Sequence, residues 1–228
     1  MSHSEPRTHN PPALPLLLLL VASVMGAAQV GLRIAWSHNW NYLFLIWNLV
    51  LAWLPVYFAL HVRQRHQTGA SDGSLCLPAG LWLLFLPNAP YIFTDLVHLQ
   101  NWFAGHYWVD FSLILQFGLT GFLLGFISLY LVHAVVRDRF GALAGWLFVL
   151  VSAGLCGIGV GLGRFGHWNS WDLVVHPFGL VHDIGRWAVH PLMHAKTLVF
   201  ATLFASFLFV SYLMLYGLTL LQNESPRR

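Results

Sequence analysis

A carboxylate and an imidazole three residues apart, Asp95 and His98, close a run of polar side chains in an otherwise apolar stretch. The run reads Leu86-Pro87-Asn88-Ala89-Pro90-Tyr91-Ile92-Phe93-Thr94-Asp95-Leu96-Val97-His98-Leu99. Helical residues three and four apart are neighbours, so Tyr91, Thr94, Asp95 and His98 are expected on one face, with Asn88 just ahead of them. Asp95 and His98 are the candidate catalytic pair, one of them serving as a base. The same two side chains are a workable start for a divalent ion such as zinc, which takes nitrogen and oxygen donors. A second stretch, Gly163-Arg164-Phe165-Gly166-His167-Trp168-Asn169-Ser170-Trp171-Asp172-Leu173, carries the complementary groups. His167 and Asp172, or His182 further on, could complete a metal set. Asn88, Tyr91, Thr94, Arg164, Asn169, Ser170 and Asp172 are the candidate ligand-binding residues.

These residues point to a polar site that binds a metal or small ligand, with hydrolase or transferase chemistry. The competing reading is non-enzymatic: transport, binding, or a structural staple. In the staple, Asp95 or Asp172 pairs with Arg164, while Asn88 and Asn169 satisfy carbonyls freed by prolines and glycines. Other chemistries fare worse. Ser170 or Thr94 as nucleophile lacks a Gly-x-Ser-x-Gly setting. The only glutamates, Glu5 and Glu224, form no His-Glu-x-x-His motif, which excludes a zincin mechanism. Gly161-x-Gly163-x-x-Gly166 spells a dinucleotide fingerprint, but no strand precedes it, so these glycines serve packing and turns. The two halves show no internal repeat of the kind transporters use.

The elements that must position these groups are membrane helices. Of 228 residues 57% are hydrophobic and only 8% charged, against roughly 25% charged in soluble domains. So few charges could not cover a water-facing surface. The basic residues are scattered, which excludes a nucleic-acid patch and leaves the lipid bilayer as the implied partner. Cys76 and Cys156 lie in apolar segments and read as packing residues rather than a disulfide.

The expected fold is all-α: a polytopic bundle of about six transmembrane segments. The chain divides into a disordered cytoplasmic tail at 1–12, one transmembrane helical domain at 13–221 and a cytoplasmic tail at 222–228. Segment 14–34 could pass for a signal peptide, but its apolar run continues past any cleavage site, so a membrane helix is expected. Trp36, Trp40 and Tyr42 mark an interface. A span over 42–60, with Pro55 inside it, leads to a hydrophilic loop at 61–74. The third segment has about twelve apolar residues before its prolines, short of the roughly 20 a crossing needs. Pro87 and Pro90 are therefore expected to break it, leaving irregular backbone that must be satisfied within the protein. An aromatic loop over 101–108 follows.

The fourth span, 109–136, carries Gly121-x-x-x-Gly125. The fifth, 142–162, has Gly157-x-x-x-Gly161 and Gly159-x-x-x-Gly163 interleaved, and such spacings allow close helix approach. Ser170, alone or with Asn169, could cap a helix starting near Trp171. His182, Arg186, His190 and His194 recur at four-residue spacing opposite Val181, Ile184, Trp187, Ala188 and Leu192. That pattern predicts an amphipathic helix along the external interface, interrupted near Pro191. A sixth span covers 197–221. With both termini inside, Arg7, Arg63, Arg65, Arg137, Arg139, Arg227 and Arg228, seven of the eleven basic residues, are cytoplasmic. Both polar stretches then share the external face.

The two motifs, Leu86 through Leu99 and Arg164-Phe-x-x-Trp-Asn-Ser-Trp-Asp172, resemble a family of bacterial multi-pass membrane proteins, domain of unknown function 1361. The resemblance runs from about the second span to the sixth. It implies a protein of the bacterial cytoplasmic membrane and treats the two motifs as one unit. It also implies a basic residue, commonly Arg, ahead of the Trp-Asn-Ser-Trp-Asp core, where this chain has His167. Histidine changes charge across the physiological pH range, so any ion pair made from this position depends on pH.

Overall fold

The computed structural model describes residues 13–38, 40–101, 107–190 and 192–224, and every regular element among them is a helix. The α-helices are α1 (Ala13–Ser37), α2 (Leu43–Gln67), α3 (Asp72–Phe85), α4 (Asn88–Tyr91), α5 (Tyr107–Phe140), α6 (Ala142–Gly166), α7 (Asp172–Val175), α8 (Pro177–Val189) and α9 (Ala195–Glu224). Short 3-10 helices at Trp40–Tyr42 and Ile92–Asn101 complete the set. Six segments are long and apolar enough to cross a membrane: Ala13–Ser37, Trp40–Gln67, Asp72–Val97, Tyr107–Phe140, Ala142–Gly166 and Ala195–Leu220. The expected tail at 1–12, residues 102–106 of the aromatic loop, and Pro191 lie outside the described residues; of the tail expected at 222–228, residues 222–224 continue α9 and 225–228 lie outside.

Helix α5 is the axis. Half of its most apolar stretch is buried, against 11% for α9 at the rim. α1, α2, α4 and the Ile92–Asn101 helix pack on α5, as does α6, which carries α9 on a second face. One apolar cluster joins α1, α2 and α5 around Leu45, Ile114 and Phe117. A second joins α3, α5, α6 and α9 around Trp82, Val149 and Tyr212. Exposed side chains such as Leu17, Val50, Leu147 and Met214 leave the outer faces apolar, as contact with lipid requires.

The hydrophilic stretch 61–74 is mostly helical rather than the expected loop. α2 continues to Gln67 and α3 begins at Asp72, leaving only four linking residues. Arginine and glutamine are good helix formers, and Arg65 and His66 complement the negative end of the α2 dipole. Arg139 from α5 ties the two helix ends, pairing with Asp72 and donating to Ala70 O and His66 Nδ1. Arg65 donates to Ser74 O at 2.9 Å, the carbonyl that Pro78 leaves without its helical donor.

The third span behaves differently from the expected break. Leu86 and Pro87 keep right-handed helical dihedrals, so the chain winds on instead of becoming extended. What the prolines change is the bonding. Ala89 N donates to Leu86 O at 3.2 Å, and Asn88 Nδ2 donates to Phe85 O at 3.1 Å, which supplies that carbonyl from a side chain. Beyond Tyr91 the 3-10 winding brings residues three apart into register. Ile92 and Asp95 form one buried row, whereas Tyr91 and Thr94 are only half-buried.

Glycines set how closely this span is held. A Cβ on Gly121 would lie 2.4 Å from Ala89 O, and one on Gly125 3.2 Å from Ala89 Cβ, so α5 receives α4 against bare backbone. The two interleaved glycine pairs of α6 serve different partners. Gly157 and Gly161 face Ala201 of α9, while Gly159 and Gly163 face Pro87 and Tyr91.

Candidate functional site

Packing on these glycines brings the third span beside the end of α6, and a cavity of about 360 Å³ lies where they meet α2. Phe44, Trp47, Asn48 and Leu51 come from α2, and Leu84, Pro87, Asn88, Tyr91 and Asp95 from the third span. Gly159, Leu162 and Gly163 form the α6 wall. His167, Trp168, Asn169, Ser170 and Leu173 cover it, with Leu180 from α8.

Asp95 is the most deeply placed charge of the cavity, only 2% exposed. An unpaired carboxylate there would be costly. Asn48 Nδ2 donates to Asp95 Oδ2 at 3.1 Å, and Arg164 Nη1 stands 3.7 Å from Asp95 Oδ1. The carboxylate is thus compensated from α2 and α6, the two helices that flank it. Asn88 reaches the second motif directly, its Nδ2 donating to Ser170 Oγ at 2.9 Å. Thr94 Oγ1 donates to Tyr91 O at 2.7 Å, which fixes the hydroxyl locally.

The covering turn is built from His167 onward. His167 takes left-handed dihedrals (φ 56°) that end α6, a region a non-glycine residue rarely adopts. Its N–H and that of Trp168 both turn back to Leu162 O. The Trp168 ring lies between Gly166 and Gly179, and its indole N–H donates to Asp183 Oδ2 at 3.0 Å, which fastens α8 to the turn. Asp172 Oδ2 accepts from the Asn169 backbone N–H at 2.7 Å. With Asp172 N donating to Asn169 O at 3.0 Å, the two residues close the turn ahead of α7 from both sides. Ser170 takes no part in capping; its hydroxyl goes to Asn88 instead.

The sequence-predicted residues therefore divide. Asn88, Tyr91, Asp95, His167, Asn169 and Ser170 line one cavity, and Arg164 pairs with Asp95 behind it. Asp172 is used by its own turn and by His176, 3.8 Å away, and does not line the cavity. The side chain of His98 lies outside the described residues. Among the described residues no group of three or more His, Cys, Asp or Glu side chains converges as a metal site would require. His182 and Arg186 are exposed on α8, and His190, also exposed, caps its end. That helix packs inward through Leu180 and Trp187 and leaves Phe178, Val181 and Val189 outward. Asn48, Trp47 and Phe44 escaped the sequence reading. The available signal was Asn48 itself, a polar residue inside an apolar span.

A family model described as "Protein of unknown function (DUF1361)" matches residues 47–211. That interval contains both motifs and nearly the whole cavity. No curated protein and no solved structure matches the chain.

Proposed function

Since the chain belongs to the DUF1361 family, we propose that it is a membrane-embedded binding protein whose cavity takes a small, hydroxyl-rich polar ligand. One observation carries the reading: a carboxylate 2% exposed, Asp95, is kept on the wall of a 360 Å³ cavity instead of being closed over by apolar packing. That volume falls within the range of small-molecule sites. The polar lining is chiefly amide and hydroxyl: Asn48, Asn88, Asn169, Ser170 and Tyr91 offer donors and acceptors beside aromatic faces. With Asp95 facing Arg164, the site demands no net charge from its occupant. Such a lining favours a neutral ligand over a phosphate or an ammonium group.

Asp95 and Asn48 are the ligand anchors in this reading, and Asn88 and Ser170 shape the opposite wall. Asp95 is also the group best placed to act as a base. Seven of the eleven basic residues fall at the opposite end of the bundle or in the termini that precede α1 and follow α9, which favours a cavity on the external side of a bacterial cytoplasmic membrane. The test is a melting series of protein in phosphatidylcholine nanodiscs with methyl β-glucoside, ethanolamine, inorganic phosphate or zinc. The glucoside is expected to raise the melting temperature of the wild type and not that of Asp95→Asn. A wild type indifferent to the glucoside contradicts the proposal, whatever the other three compounds do.

The staple reading has three supports: Arg164 stands 3.7 Å from Asp95, Asn88 donates to Phe85 O at 3.1 Å, and Asn88 donates to Ser170 across the two motifs at 2.9 Å. It predicts that Asp95→Asn lowers stability sharply even without ligand.

A further inference from the structure

The walls of the cavity differ from its lining groups in a way that bears on how a ligand enters. Asn48, Asp95, Asn88 and Ser170 gather polar atoms toward the end of the bundle. Leu51 lies one helical turn deeper than Trp47, about 6 Å along α2. Leu84 lies on α3, before the prolines. Both line the cavity and both are half-buried. Trp47 is 55% exposed and Leu173 44%. The Trp47 and Trp171 rings meet edge to face, 6.4 Å between centroids, at the level where tryptophans occupy a membrane interface. Phe58 of α2 and Phe85, the residue after Leu84, stack at 5.9 Å between centroids. The cavity thus has a polar region around Asn48, Asp95, Asn88 and Ser170, an aromatic rim at Trp47 and an apolar part at Leu51 and Leu84. From above it is covered by the 167–173 turn and α8.

We propose that the ligand is an amphiphile, a lipid with an uncharged sugar headgroup, which enters sideways from the bilayer and leaves its acyl chains against Leu51 and Leu84. This rests on the preceding reading of the cavity as a neutral polar site and adds the class of ligand and its route. Amides, a carboxylate and a hydroxyl offer a sugar several hydrogen bonds, and Trp47 and Trp168 offer it aromatic faces. A water-soluble ligand would have no use for the apolar part. A lipid supplies the chain that fills it and avoids the covered top.

The experiment is photo-crosslinking of the full chain in phosphatidylcholine nanodiscs, with peptides mapped by mass spectrometry. The probes are glucosyl-diacylglycerol and phosphatidylglycerol, each carrying a diazirine in one acyl chain. The glucosyl probe should label the peptides containing Leu51 and Leu84 about tenfold above the other lipid-facing helices. Unlabelled glucosyl-diacylglycerol should compete that excess away, and phosphatidylglycerol should not. Equal enrichment with both probes overturns the sugar headgroup. Uniform labelling by the glucosyl probe, in protein that methyl β-glucoside still stabilises, overturns lateral entry and leaves the binding site standing. Uniform labelling together with no response to methyl β-glucoside takes down both proposals.

Discussion

Asp95 and Asp110 are both 2% exposed, both lie toward the same end of the bundle, and both face an arginine. Their surroundings differ. Asp110, in the first turn of α5, is gripped by Arg33 of α1 through two hydrogen bonds, 2.8 and 3.2 Å, and Arg33 in turn lies over the Tyr42 ring at 5.3 Å. That fork-on-carboxylate geometry uses both oxygens and binds α1 to α5. Asp95 has its arginine at 3.7 Å, takes an amide from Asn48 and borders a cavity. A bilayer protein needs the first arrangement to hold helices together. The second leaves a compensated carboxylate beside empty volume, which packing alone does not call for.

The comparison can be broken by mutation, and the largest effect belongs to the closed pair. Arg33→Ala strands a buried carboxylate and should cost about 3–5 kcal/mol. Denaturation of the reconstituted protein will show it, and the double variant Arg33→Met/Asp110→Leu should recover most of the loss. Next is the seat of the third span. Gly121→Val forces a side chain onto Ala89 O and Ile92, an overpacking worth about 1–3 kcal/mol. It should also disturb Asp95, three residues beyond Ile92, so ligand-induced stabilisation should fall with it. Ser170→Ala removes the hydrogen bond from Asn88 and should cost about 0.6 kcal/mol, the usual scale for a polar contact between membrane helices. A loss as large as that of Arg33→Ala would make this contact the true staple.

Much of the fold was legible because it follows from hydropathy. Six apolar segments and their glycine spacings read directly, and the structure adds which face each glycine serves. The partners of Gly159 and Gly163 could not be read, since they depend on where Pro87 and Tyr91 come to lie. The third span misled because proline forbids a hydrogen bond more strictly than it forbids a direction. Pro87 has dihedrals a helix accepts, and Asn88 repairs the bonding. The hydrophilic stretch 61–74 misled in the opposite sense, since polar residues past the membrane can continue a helix. At the site, Asn88 and Ser170 were each visible as polar residues near an interrupted segment, and folding brings them together. Asn48 was hidden by isolation, with no motif around it. Arg33 and Asp110 were hidden by separation, 77 residues apart in the chain. Asp172 stood out in the sequence for a reason that is local: its carboxylate closes the turn from Asn169.

The most direct measurement is the melting temperature of wild type and Asp95→Asn in nanodiscs, with and without methyl β-glucoside. Asparagine has nearly the shape of aspartate and leaves Asn48 a carbonyl to donate to. The account predicts that the variant melts close to the wild type without ligand and loses the ligand-induced rise. A variant that already melts far below the wild type, as Arg33→Ala should, beside a wild type that gains nothing from the glucoside, would contradict it.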